Sequence, residues 1–140
     1  MILGTQINYL AVLVATIACM IVGFLWYSPF LFGKSWMKEM GFTDKSMNEK
    51  KKKGMFKSYI AMFVIALISN YILSHFINYL QANTVSLSLQ TAFWLWLGFI
   101  VPISLGSILW EGKSLKLFVI NSLQHLVSLG IASIIIGLWM

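Results

Sequence analysis

Long apolar stretches separated by short polar segments make up most of this 140-residue chain. Each stretch is close to the ~20 residues that a helix needs to cross about 30 Å of hydrocarbon. The pattern predicts four membrane-spanning helices, at about residues 8–27, 58–80, 88–110 and 115–139, with a cytoplasmic loop at about 30–57. We therefore expect an all-α integral membrane protein in which residues 1–140 form a single transmembrane four-helix bundle.

The distribution of lysines predicts how the bundle is oriented. All ten basic residues are lysines; eight lie in or beside the loop at 30–57, and Lys113 and Lys116 lie between the third and fourth spans. Four crossings place these two loops on the same side, which the positive-inside rule makes cytoplasmic. We expect a multi-pass protein of the inner cell membrane with both termini outside. The first span is expected to be retained, since no lysine or arginine precedes it as in a signal peptide.

The first lysine-rich loop has a predicted structure of its own. Trp36, Met37 and Met40 share one helical face, and Gly41 is a suitable C-cap, so a short interfacial helix is expected over 33–41. Beyond it, Ser46 and Glu49 match a capping box. A second helix is therefore predicted to start there and run unbroken into the second span, with Gly54 as the weak point.

The lysines of this loop have two interpretations. They bind anionic lipid headgroups, at about 1 kcal/mol for each lysine near the surface, or they only fix the topology. The headgroup candidates are Lys50, Lys51, Lys52, Lys53 and Lys57. Nucleic acid is not an expected partner, because no arginine or paired aromatic platform accompanies the lysines.

Small residues recur at about four-residue spacing on three spans, which predicts close contacts between helices. The three stripes are Ala11, Ala15, Cys19 and Gly23; Gly98, Pro102 and Gly106; and Gly130, Ser133 and Gly137. The last stripe is expected to face another subunit, because its helix has only one neighbour in sequence. We therefore expect a homo-oligomer, a dimer or a trimer. Pro102 lacks an N–H and is expected to kink the third helix.

Two spans carry an unusual number of polar residues. Those of the second are Asn70, Ser74, His75 and Asn78, beside Tyr71, and those of the fourth are Asn121, Gln124, His125 and Ser128. Unsatisfied polar groups are costly in hydrocarbon, so both arcs should face the bundle interior or a subunit interface. They form a polar site for a solute, proton or lipid headgroup, or they serve only as hydrogen bonds between helices.

These observations leave three classes of function, of which binding or transport of a small solute, proton or lipid through the polar intrabundle site is preferred. The second is a structural or lipid-interacting membrane protein without a transported solute. An enzyme is third, since only His75 and His125 offer general acid–base chemistry. No cofactor and no metal site are expected, because neither histidine has a cysteine or carboxylate close by in sequence.

The N-terminal third carries a recognisable set of motifs. Gly23-Phe24-Leu25-Trp26-Tyr27-Ser28-Pro29, followed by Phe32-Gly33-Lys34 and Trp36-Met37, resembles the small membrane family called domain of unknown function 1761. The resemblance implies a prokaryotic four-helix membrane protein with no established activity.

The same motif has a physical explanation as an interfacial corner, formed by Trp26, Tyr27, Pro29, Gly33, Lys34 and Trp36. Its aromatic rings anchor the chain at the headgroup level, Pro29 stops the helix and Gly33 permits the turn. The competing interpretation is a headgroup pocket made by Lys34 and Trp36.

Overall fold

The computed structural model describes residues 7–139, apart from the side chains at positions 44, 47, 51, 52 and 53. The regular elements of this part of the chain are all helices, and it contains no strand. Its elements are α1 (Tyr9–Trp26), α2 (Gly33–Met40), α3 (Asp44–Lys53), α4 (Phe56–Leu80), α5 (Val85–Leu95), a π-helical turn (Trp96–Ile100), α6 (Val101–Glu111) and α7 (Leu115–Leu138). Four apolar segments are long enough to span a membrane: α1, α4, the composite third span Val85–Glu111, and α7. The predicted all-α, four-span fold is confirmed.

Polar residues begin several of these helices. The side chains of Asn8, Thr84 and Ser114 accept hydrogen bonds from backbone N–H groups three residues further on, at the starts of α1, α5 and α7. Such caps satisfy N–H groups that have no partner within the helix. Short polar residues therefore mark the starts of three of the four spans.

The four spans are arranged around α7. It packs against α1 along much of its length, against α5 on another side, and against α4. α4 also packs against α1 but has little contact with the third span, although the two are consecutive in sequence. We call the end of the bundle near Asn8, Trp139 and the turn at 81–84 the termini end, and the opposite end the lysine end.

The buried core lies in the half of the bundle nearest the termini end. Its members are small or β-branched residues and leucine from three spans and one turn: Ala11, Ala15, Leu73, Ile77, Ala82, Ala132 and Ile136. Every buried residue of α1 lies between Ala11 and Thr16, and no residue of α4 before Asn70 is buried. Small side chains let helix backbones approach closely, which is the main source of packing energy in lipid. At the lysine end, α1 and α7 stay in contact, whereas α4 and α6 have no buried residue there.

The third span has buried residues in its first half only. α5 buries Ser88 and Ala92, whereas α6 contains no buried residue. Between them, Val101 donates its N–H to the Trp96 carbonyl, which widens the helix by one residue just before Pro102. Since proline has no N–H, a regular helix could not continue its hydrogen bonds there. A kink is predicted at Pro102; the structure shows a π-helical turn over Trp96–Ile100, directly before the start of α6.

The stripe of Gly130, Ser133 and Gly137 was expected to face another subunit, and this prediction is wrong. All three residues are buried within the chain. A methyl group on Gly137 would collide with the Ala82 carbonyl oxygen and Ser88 Oγ, and one on Gly130 would touch Leu89. The stripe lets α7 approach both α5 and the turn between the second and third spans.

The loop between the first two spans confirms one prediction and corrects another. α2 ends at Gly41, whose φ of 79° is the left-handed C-cap expected there. α3, however, begins before Ser46: the Thr43 hydroxyl accepts from the Ser46 N–H, and Ser46 Oγ accepts from the Thr43 N–H. This reciprocal pair replaces the predicted box of Ser46 and Glu49. The helix also does not run unbroken into α4, because it ends ahead of Gly54, whose φ is 86°.

Candidate functional site

The interfacial corner is a packed connection between α1, α2 and α7. Trp26 Nε1 donates to the Ile120 carbonyl at 3.0 Å, and Tyr27 Oη donates to Asn121 Oδ1 at 2.7 Å. Both bonds cross from the end of α1 to the lysine-end half of α7. Trp26 also packs against Phe32, with ring centroids 4.6 Å apart. The aromatic residues of the motif therefore hold two helices together.

This corner requires glycine at position 33, because the backbone there lies against the backbone of residues 27 and 28. The Gly33 N–H donates to the Ser28 carbonyl at 2.9 Å. A Cβ at this position would lie 2.6 Å from the Ser28 carbonyl oxygen and would also meet the Tyr27 carbonyl oxygen. Any side chain would push the start of α2 away from the end of α1. The glycine thus has a steric role.

The other members of the motif lie around this contact. Trp36 is half-buried, with its ring 5.6 Å from that of Tyr27 and 5.5 Å from that of Phe42. Lys34 and Pro29 are exposed. On the far side of α2, the Ser114 hydroxyl is hydrogen-bonded to the Glu39 carboxylate, which fastens α2 to the start of α7.

A second group of polar residues joins three spans in the middle of the bundle. Asn70 Nδ2 donates to Thr16 Oγ1 at 3.2 Å and contacts Cys19 Sγ at 3.8 Å, and Cys19 Sγ donates to the Ser128 carbonyl at 3.5 Å. Thr16 and Asn70 are buried. We call Thr16, Cys19, Asn70 and Ser128 the polar junction. It connects α1, α4 and α7 at the boundary between the termini-end and the lysine-end halves.

The rest of the polar arc on α4 lies nearer the termini end and is bonded locally. Ser74 Oγ donates to the Tyr71 carbonyl, and Asn78 Nδ2 donates to the Ser74 carbonyl. His75 is only 5% exposed, meets the ring of Tyr71 edge-on at 4.9 Å, and its Nδ1 has no hydrogen-bond partner among the described residues. These residues do not face the polar arc of α7.

Part of the polar arc of α7 is hydrogen-bonded near α1, and part of it is exposed. Asn121 binds Tyr27, and Gln124 Nε2 donates to Ser128 Oγ at 2.9 Å near Gly23 of α1. His125 is exposed. It lies on the same helical face as Ala132 and Ile136, seven and eleven residues further on, which are buried in the core. Its exposure therefore reflects the absence of a covering helix at its level.

Ser122, Trp96 and Thr16 were not among the predicted site residues. Ser122 is 2% exposed, and its hydroxyl has no hydrogen-bond partner among the described residues. The Ser122 carbonyl accepts from Trp96 Nε1 at 2.7 Å, so the π-helical turn is attached to α7 at this point. Thr16 of the polar junction was missed as well. Its sequence signal is that Thr16 is a hydroxyl residue within an apolar span, because a hydroxyl in hydrocarbon must find a hydrogen-bond partner.

The small-residue stripes of the other spans differ in their surroundings. Ala11 and Ala15 are buried in the core, with Cys19 packed against it. In the third span, a methyl group added to Gly98 or Gly106 would meet nothing within 4 Å, and Pro102 is exposed. Among the described residues, the stripe on the third span is the one without a partner inside the chain.

The lysine-rich segment is exposed where its side chains are described. Lys45, Lys50 and Lys57 are exposed, and Lys50 Nζ lies 4.0 Å from the centroid of the Phe42 ring. The predicted headgroup contacts of Lys51, Lys52 and Lys53 fall on side chains outside the described part. Within that part, no group of three histidine, cysteine or acidic residues is placed to hold a metal ion.

Comparison with known proteins yields one match. A family model described as "Protein of unknown function (DUF1761)" matches residues 10–137, nearly the whole chain. No curated protein and no solved structure matches. The chain belongs to the DUF1761 family, as the Trp-Tyr-Ser-Pro and Phe-Gly-Lys motifs of its corner indicated.

Proposed function

We propose that this protein binds a small polar solute inside the membrane, in the lysine-end half of its helix bundle, and carries it across. The observation on which this depends is the exposed imidazole of His125, on the core-facing side of α7. It lies ten residues into the helix, about 15 Å from its start. A polar ring at that depth is costly to leave against lipid. Water or a polar ligand in front of it removes that cost.

The surroundings of His125 support an opening. On α4, the residues before Asn70 are not buried, and on the third span the residues from Trp96 to Glu111 are not buried either. α4 and the third span make little contact. We call the space between them, in front of His125, the polar opening. Asn121 and Ser122 lie one turn nearer the lysine end, and the polar junction lies about one turn further in.

The opening ends where the core begins. Beyond the polar junction, Ala132 and Ile136 pack against Ala11, Leu73 and Ile77. At the termini end, Asn8 Nδ2 also donates to the Trp139 carbonyl and ties the two ends of the described chain together. A solute that enters from the lysine end would stop at the junction. Passage across the membrane would require the packing of α4 against α7 to loosen.

Solute flux in liposomes tests this proposal. We expect uptake of at least one small polar solute among protons, inorganic ions, glycerol and amino acids, above the level of empty liposomes. His125→Leu should reduce that uptake at least tenfold, because it replaces the polar wall by an apolar one. Val127→Leu is the matched control, since Val127 is exposed two residues further on and about 200° around the helix.

The controls decide between the outcomes. Reduced flux in His125→Leu with normal flux in Val127→Leu would support the polar opening. Unchanged flux in His125→Leu, with the protein folded, would contradict it. No flux for any solute, together with no solute binding in detergent, would contradict the proposed function as a whole.

A second candidate is a lipid-interacting protein with no transported solute. Two apolar grooves flank α5, of about 380 and 370 Å³. One runs beside α7 past Ala92 and Gly130, and the other lies between the end of α4 and α5, past Leu80 and Trp94. Grooves of this kind fit acyl chains. This candidate predicts co-purified anionic lipid that is lost when Lys50–Lys53 are replaced by glutamine.

A homo-oligomer, dimer or trimer, is also part of the proposal. Since the stripe on α7 is used within the chain, the contact would involve the stripe on the third span. Mass measurement in mild detergent, with Gly98→Leu as the comparison, tests this. A monomeric mass for the unmodified protein would contradict it.

A further inference from the structure

We infer that the solute of the polar opening is an amphiphile: an uncharged polar head that hydrogen-bonds to His125, carried on a single apolar chain that lies in the groove between the end of α4 and α5. This inference rests on the proposed function and narrows its solute to a molecule that bears an apolar chain. It comes from the position of the groove relative to His125 and from the absence of fixed charge at that depth.

The groove between the end of α4 and α5, which we call the α4–α5 groove, is long and mainly apolar. It has a volume of about 370 Å³ and follows the third span from Leu87 to Phe99, a length of about 18 Å. Its polar members already have partners, since Gln90 donates to Ser86 Oγ and the Thr91 hydroxyl donates to the Leu87 carbonyl. The groove therefore has the length and the lining that suit an extended apolar chain.

The α4–α5 groove reaches the level of His125. Trp96 Nε1 donates to the Ser122 carbonyl at 2.7 Å, which fixes the third span and α7 at the same height there. His125 lies three residues further along α7, about 4.5 Å nearer the termini end. The third span runs in the opposite direction, so this level corresponds to Trp94 and Leu95, and both of them line the groove.

The groove and the imidazole also lie on the same side of the bundle. Leu95 packs against the buried core, which includes Ala132 and Ile136 on the same face of α7 as His125. α4 covers that face beyond Asn70 and has no buried residue before it. Where this cover ends, the α4–α5 groove leads toward the imidazole. One molecule can therefore occupy both the groove and the polar opening.

The gap between the spans suits a molecule that keeps one end in lipid. α4 and the third span make little contact, so the polar opening is bordered by the bilayer as well as by the lysine end. A head that moves along the opening to His125 can keep its chain in hydrocarbon throughout. Lipid tails are as apolar as the groove, so the chain contributes packing and the hydrogen bond to the imidazole supplies the selectivity.

The depth of His125 favours a head without net charge. The chain has no lysine, arginine or acidic residue before Lys34, between Ser58 and Trp110, or after Lys116. A charged head would therefore lack a partner of opposite charge at this level, which is costly within a membrane. An uncharged head needs only hydrogen bonds, and a neutral imidazole offers one donor and one acceptor. Hydroxyl and carbonyl groups meet this requirement.

Nitrogen-15 NMR of the histidine side chains tests this inference, because the protein has two histidines and His75, which is buried nearer the termini end, is an internal control. The protein would be labelled with ¹⁵N-histidine in phosphatidylcholine nanodiscs at fixed pH. The probes are monomyristin, monocaprylin with the same head and a shorter chain, glycerol as the head alone, tetradecane as the chain alone, and myristate as the same chain with a charged head.

We expect the His125 resonances to shift and saturate with monomyristin while those of His75 stay unchanged. Glycerol and tetradecane at the same concentration should give less than a tenth of that shift, because each lacks one half of the molecule. Myristate should bind at least threefold more weakly than monomyristin, since its head is charged.

A matched pair of leucines tests the position of the chain. Leu87 lines the α4–α5 groove, about 11 Å further along α5 than Trp94, and Leu89 lines the groove on the other side of α5. Their exposed fractions are similar, 42% and 45%. Leu87→Trp should weaken the monomyristin response at least threefold and leave that of monocaprylin unchanged, because the shorter chain ends before position 87. Leu89→Trp should change neither, and unchanged His75 resonances in both variants check the fold.

Four results would overturn the inference: no His125 shift with monomyristin, an equal shift with glycerol or tetradecane, tighter binding of myristate, or equal weakening by the two tryptophan variants. An equal response to glycerol, together with flux that depends on His125, would leave the proposed function standing and remove only the apolar chain. No response to any probe, together with no flux that depends on His125, would remove both.

Discussion

The two halves of this bundle use the same four spans in different ways. In the half nearest the termini end, alanines and glycines bring α1, α4, α5 and α7 into contact, and polar side chains there are bonded to nearby backbone. In the lysine-end half, α4 and α6 bury nothing, and His125 is exposed between them. The two polar arcs therefore differ in their surroundings. The arc on α4 lies mainly in the packed half, whereas on α7 Asn121, Gln124 and Ser128 are hydrogen-bonded and His125 is exposed.

The largest difference in stability between substitutions in the two halves is expected at two glycines, Gly137 and Gly106. Gly137→Leu should destabilise the folded protein by about 3 kcal/mol or more, because any side chain there meets the Ala82 carbonyl and Ser88. In the monomer, Gly106→Leu should cost less than about 0.5 kcal/mol, since no described residue of the same chain lies within 4 Å of its added methyl group. Thermal unfolding in detergent measures both. Similar losses for the two variants would show that the halves are equally packed.

A smaller effect is expected at the boundary between the halves. Asn70→Leu removes the hydrogen bond to Thr16 and the contact with Cys19, and should cost about 1 kcal/mol, near the upper part of the range for such bonds in membranes. The matched control is Ser69→Leu, at the neighbouring exposed position. Unfolding by a denaturing detergent gives the comparison. If Ser69→Leu is as destabilising as Asn70→Leu, the polar junction does not hold the three spans together.

The smallest stability effect is expected at Trp96, where the π-helical turn separates α5 from α6. Trp96→Phe keeps the ring but removes the hydrogen bond to the Ser122 carbonyl, and should cost about 0.5 kcal/mol. It should also increase hydrogen exchange in α6 more than in α5, because α6 has no buried side chain to hold it. Trp94→Phe is the control, since Trp94 is exposed. Equal exchange in α5 and α6 would show that the whole span moves as one body.

The sequence predicts which segments cross the membrane much better than which faces meet. Span length and apolar character depend only on the chain and the bilayer, so α1, α4, the third span and α7 are found close to the expected positions. The spacing of Gly130, Ser133 and Gly137 identifies an interface, but small residues serve contacts within a chain and between chains equally well. The sequence therefore predicts another subunit as the partner of this stripe, whereas the structure shows the turn at Ala82.

The same limit applies to the polar residues. The four-residue period correctly predicts that Asn70 and Ser74 face inward, because both are buried. It does not reveal that Asn70 meets Thr16 of another helix, since that contact depends on how far apart the helices are at that level. The capping signal at Ser46 failed for a local reason: Thr43 competes for the same N–H groups and starts the helix earlier.

We propose that water and solute reach His125 from the lysine end. Thiol labelling in nanodiscs tests it most directly, in a background with Cys19 replaced by alanine and single cysteines at position 125 or 127. A water-soluble maleimide reacts with a thiolate, which forms only where water reaches the thiol. We predict that a cysteine at position 125 is labelled at least tenfold faster than one at position 127, on the opposite face of α7. Equal or slower labelling at position 125 would contradict the account.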